Sequence, residues 1–110
     1  MTEAPKTIAD MMTTADMIEF AYAELSKLEE ELEVVRDKYV SKYVRTYDHV
    51  YALAREEDAW EDWLEKHIAL YRQTHKGTIA NVAALELKIE LTKERIAVMK
   101  GWIEDVQYGL

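Results

Sequence analysis

The 110-residue chain contains no cysteine, which excludes disulfides, thiolate zinc sites and cysteine nucleophiles together. One proline and three glycines leave little to interrupt a helix once it has started. No run approaches the ~18–20 uninterrupted apolar residues of a membrane span, so no membrane segment is expected. Positive charge is short, with 14 Lys and Arg against 22 Asp and Glu and a net charge of −8. That balance argues against nucleic-acid binding, because phosphate contacts need a basic face. The opening Met1-Thr2-Glu3-Ala4-Pro5-Lys6 is neither a basic n-region nor followed by an apolar stretch. On these grounds no signal peptide is expected, and the expected location is the cytoplasm.

What is present reads as helix. After the turn at Lys76-Gly77-Thr78, the apolar residues Val82, Leu85, Ile89, Ile96, Met99, Ile103, Val106 and Leu110 recur at alternating three- and four-residue steps, with Thr92 as the single polar member. This is a heptad seam. It predicts a C-terminal helix over residues 79–107 whose apolar face must lie against another part of the chain. A second seam, Ile18, Ala21, Leu25, Leu28, Leu32 and Val35, carries Glu24, Lys27, Glu29 to Glu31 and Glu33 on its outer faces. Ahead of it, residues 1–12 read as a loose arm. Thr7-x-x-Asp10 and Thr13-x-x-Asp16 both resemble capping boxes, and Met11, Met12, Met17, Ile18 and Phe20 form an apolar entry.

Tyr39, Tyr43, Tyr47 and Tyr51 then follow at four-residue steps, a stutter in the heptad pattern. Nothing forces a break between Thr14 and Thr74, which predicts one helix roughly 90 Å long at ~1.5 Å per residue, bent if anywhere near residues 48–58. Folding the chain at Lys76–Gly77 sets Trp60 opposite Lys93 and Tyr51 opposite Trp102. It leaves the Ile18–Val35 seam without a partner. The expectation is therefore a single all-α domain, a long antiparallel helical hairpin or three-helix bundle with coiled-coil seams. The homodimer is preferred, with Ile18, Ala21, Leu25, Leu28, Leu32 and Val35 at its interface.

No catalytic constellation emerges. Glu57, Glu61 and Glu65 share one helical face, but the Glu-x-x-His of a di-iron bundle is absent. His49, His67 and His75 lack metal-ligand spacing, and Ser26 and Ser41 lie in no nucleophile elbow. No metal, cofactor or enzymatic activity is expected. Tyr39, Lys42, Tyr43, Arg45, Tyr47 and His49 are a candidate ligand-binding patch, since aromatic faces with cations could hold a nucleotide or cyclic nucleotide. The competing reading has these cations capping the carbonyl end of the final helix. Trp63, between acidic neighbours, is a candidate anchor for a protein partner.

The layout of Tyr43 to Tyr51, the Gly77-Thr78 turn and the helix from Leu85 to Val106 resembles small coiled-coil proteins of tailed phages over about two thirds of the chain. That resemblance implies a phage accessory or inhibitor protein that acts by binding a host or phage protein in the host cytoplasm. It implies no catalytic residue.

Overall fold

The computed structural model describes residues 13–108, with only the backbone course given for Thr78 and for 105–108. The described residues form three helices: α1 (Thr14–Tyr43), α2 (Tyr47–Thr74) and α3 (Thr78–Tyr108). The arm expected over residues 1–12, with the Thr7 box, Met11 and Met12, lies outside them, as does Leu110.

Thr13 starts α1. Its hydroxyl accepts the Asp16 N–H while the Asp16 carboxylate accepts the Thr13 N–H, which satisfies two of the amides left over at a helix start. The single long helix expected from Thr14 to Thr74 is broken at Val44–Thr46, short of the 48–58 stretch where a bend was expected. Val44 and Thr46 both take extended backbone, and the Thr46 hydroxyl caps α2 by accepting the His49 N–H at 3.1 Å. Arg45 donates to the carbonyls of Ser41, Lys42 and Val44, so the cut end of α1 keeps its acceptors occupied. Between α2 and α3, Gly77 sits at φ 91°, a conformation that costs a residue with a Cβ.

The final helix is the centre of the fold, but its seam takes a different partner from the one expected. Ala21 and Leu25 pack with Leu85 and Ile89, and Val35 packs with Ile96 and Met99. The pairs advance together, so α1 and α3 lie parallel. Glu24–Lys93 and Glu31–Lys100 ion pairs flank this contact. Thr92, the polar member of the seam, is 2 % exposed and donates its hydroxyl to the Lys88 carbonyl, so no buried hydroxyl is left unpaired.

The Ile18–Val35 seam, expected to need a second subunit, is thus filled within the chain. Ala21, Leu25 and Val35 are buried there, with Ile18, Leu28 and Leu32 packed beside them. The seam therefore gives no reason for a second subunit, because α3 has a second usable face. On that face Ala84 receives Leu64 and Ile68, with Trp60, Tyr71, Leu87 and Leu91 around them. α2 therefore runs antiparallel to α3 along its flank, as the hairpin count requires, while α1 occupies the heptad seam. The architecture is an all-α three-helix bundle, with principal extents of 66 × 30 × 19 Å.

Arg95 holds the α2–α3 contact at the end away from the turn. It is 6 % exposed, and its guanidinium makes a two-pronged ion pair with Glu56. It also lies 5.2 Å from the Trp60 ring centre and 5.0 Å from that of Trp102. Burial of a charge is tolerable there because the carboxylate and two aromatic faces replace its water.

Candidate protein-docking cleft

α1 and α2 both lie on α3 yet barely touch each other. Their separation leaves a cleft of about 1050 Å³, floored by Leu85, Lys88 and Thr92 of α3. Helical periodicity sets what each wall presents. Positions three, four and seven apart share a face, and on α1 these are Tyr22, Glu29, Leu32, Glu33 and Arg36. On α2 the corresponding face is Ala54, Glu57, Asp58, Glu61, Glu65 and Arg72, with Leu64 and Ile68 at its base. The row Glu57, Glu61 and Glu65 read from the sequence does therefore lie on one surface.

Arg36 closes one end. Its Nε donates to both Glu57 oxygens, at 2.9 and 2.8 Å, close to the corner where α1 turns into α2. The hydrogen bond to Glu57 and the charge beside it raise the Arg36 pKa above its ordinary value. Among the described residues, the remaining lining carboxylates, Glu29, Glu33, Asp58, Glu61 and Glu65, are in no ion pair, and nor are the lining cations Arg72 and Lys88. The cleft is therefore acidic on both walls. Its accessible apolar surface comes from Tyr22, Leu32, Ala54, Trp60 and Ala69, because Leu64, Ile68 and Leu85 are covered. No three His, Asp or Glu side chains among the described residues converge on a point that could hold a metal ion.

The Tyr39–His49 patch is brought together only in part: Tyr39, Tyr43 and His49 face inward, and Tyr47 does not. Tyr39 hydrogen-bonds His49 Nε2 at 2.8 Å and meets the edge of Trp102 at 6.0 Å between ring centres. Tyr43 donates to the Ile103 carbonyl at 2.6 Å. Tyr39 and Tyr43 thus join the corner of the fold to the C-terminal part of α3. Arg45 caps α1 rather than α3, Lys42 lies 5.4 Å from the Tyr43 ring, and Tyr47 points outward, 83 % exposed. Trp63 is 46 % exposed and stacks on His67, with ring centres 4.9 Å apart. It does not line the cleft.

The protein-family model described as "Lysozyme inhibitor LprI" matches residues 6–99. The chain belongs to the LprI lysozyme-inhibitor family. No curated protein and no solved structure matches the chain. The family assignment overturns the resemblance to tailed-phage accessory proteins, which rested on a Tyr-rich helix, a Gly-Thr turn and a heptad helix shared by helical hairpins of many origins. An LprI protein is an inhibitor rather than an enzyme, so this chain works by binding protein. Sequence reasoning placed Glu57, Glu61 and Glu65 on one helical face, and Glu29 and Glu33 on the outer faces of the second seam, but not the two rows across from one another. A discoverable signal was Thr46-Tyr47-Asp48, a cap followed by an acidic first turn, which marks the corner that brings the two walls face to face.

Proposed function

We propose that this chain binds a lysozyme and blocks it, with the acidic cleft between α1 and α2 as the contact surface. The observation that carries the reading is the family match over residues 6–99. The cleft supplies the physical means. A net charge of −8 steers a cationic enzyme toward the chain and raises the encounter rate. Unpaired carboxylates on both walls then offer acceptors to its Lys and Arg, and Tyr22 and Trp60 offer aromatic anchors of the kind that dominate interface energetics. Occlusion is sufficient for inhibition, because a glycosidase needs an open groove for its polysaccharide; no chemistry by the inhibitor is required.

One copy is the functional unit in this reading, since the Ile18–Val35 seam is occupied by α3. The chain must also reach the compartment where the lysozyme acts. The test is a cell-wall clearing assay with a cationic lysozyme and the purified chain. Dose-dependent loss of clearing that weakens as salt is raised is the expected result. Full clearing with excess chain, together with no binding heat at tens of micromolar, contradicts the reading.

A further inference from the structure

We propose that the same cleft binds free cationic amphipathic peptides as helices, an activity separate from lysozyme inhibition. Two helices form the walls and a third the floor, so the vacant position is that of a fourth helix in a bundle. Tyr22 to Arg36 spans roughly 21 Å of α1 at ~1.5 Å per residue, and Ala54 to Arg72 roughly 27 Å of α2. An occupant of about 14–18 helical residues matches that length. The bend at Val44–Thr46 and the Arg36–Glu57 bridge close one end, while the cleft runs open toward Tyr22 and Arg72.

Charge then selects the occupant. Glu29 and Glu33 on one wall, and Glu61 and Glu65 on the other, are spaced by four residues, close to one helical turn. A peptide helix with Lys or Arg at i and i+4 presents cations at the same repeat of about 6 Å. Arg72 and Lys88 lower the net negative charge of the lining, so charge alone does not account for retention. The apolar face of the peptide has to reach Leu32 and Trp60 between the acidic rows, as in other helix-in-groove complexes. A cationic but non-amphipathic peptide satisfies only half of these requirements.

The probe is a synthetic 18-residue helix of Leu and Lys with the two segregated on opposite faces. Its control has the same composition, scrambled so that no face is apolar. Binding is measured by calorimetry with no lysozyme present, so that this proposal and the lysozyme reading fail independently. The segregated peptide is expected to bind at micromolar concentration and the scrambled one at least tenfold more weakly. Glu61→Lys with Glu65→Lys, or Glu29→Lys with Glu33→Lys, is expected to weaken binding at least tenfold. These are exposed residues without ion-pair partners among the described residues, and circular dichroism verifies that each variant keeps its helices. Trp63→Ala, outside the cleft, is expected to bind as the parent does. Equal binding of the scrambled peptide, binding insensitive to reversal of both walls, or no heat at tens of micromolar overturns the proposal.

Discussion

Arg95→Ala tests how α2 is held on α3. The guanidinium lies about 5 Å from two indole rings and pairs with Glu56, whose side chain is 41 % exposed. Each cation–π contact is worth about 1 kcal/mol at such a site. The ion pair adds about 1 kcal/mol after screening at the half-exposed carboxylate. Removing the buried stem costs about 2 kcal/mol more, while relief of the buried charge returns a part. The net expectation is a loss of about 3 kcal/mol, lowering the melting temperature by roughly 12–20 °C for a chain of this size. Urea unfolding followed by circular dichroism gives the free energy, and indole fluorescence reports on Trp60 and Trp102 directly. Arg95→Met keeps the stem between the rings and removes the charge, and is expected to cost about half as much. A loss below about 1 kcal/mol for Arg95→Ala would refute the view that this residue pins the two helices.

Leu25→Ala, at 3 % exposure between α1 and α3, is expected to cost about 2–4 kcal/mol in urea unfolding, whereas Phe20→Ala at 62 % exposure should change stability little. Gly77→Ala meets no atom within 4 Å of the new Cβ but retains φ 91°, so its cost of about 1 kcal/mol is backbone strain alone. The Arg36–Glu57 pair raises the guanidinium pKa, so what it adds to stability is present below the ordinary arginine value and lost only as pH rises through the raised one. Arg36→Gln should therefore cost the same at pH 7 and pH 9, and less than about 1 kcal/mol because the side chain is 40 % exposed.

Both heptad seams were legible in the sequence, because each needs only a stripe of apolar residues at fixed spacing. Their pairing was not. The second face of α3 is built from Ala84, Leu87, Leu91 and Arg95, and an arginine reads as surface until two tryptophans and Glu56 are seen around it. With that face hidden, α3 reads as one-sided, α2 uses it up, and α1 is left to another subunit. The corner at Val44–Thr46 carries neither Pro nor Gly, so the tyrosine ladder read straight through it. Tyr39 and His49 meet because the chain turns between them, not because a helix repeats. The same holds for the cleft. Glu61 and Glu65 share a face by local periodicity, but their position across from Glu29 and Glu33 depends on tertiary geometry that no local pattern encodes.

The acidic cleft as the lysozyme-docking surface is tested most directly by one comparison of inhibition constants. The parent chain, Glu61→Lys with Glu65→Lys, and Trp63→Ala are titrated against the same cationic lysozyme in a clearing assay at fixed ionic strength. Charge reversal in the cleft is predicted to weaken inhibition at least tenfold, while Trp63→Ala leaves it unchanged. Inhibition that survives the reversal but is lost with Trp63→Ala would move the docking surface to the outer flank of α2 and contradict the account.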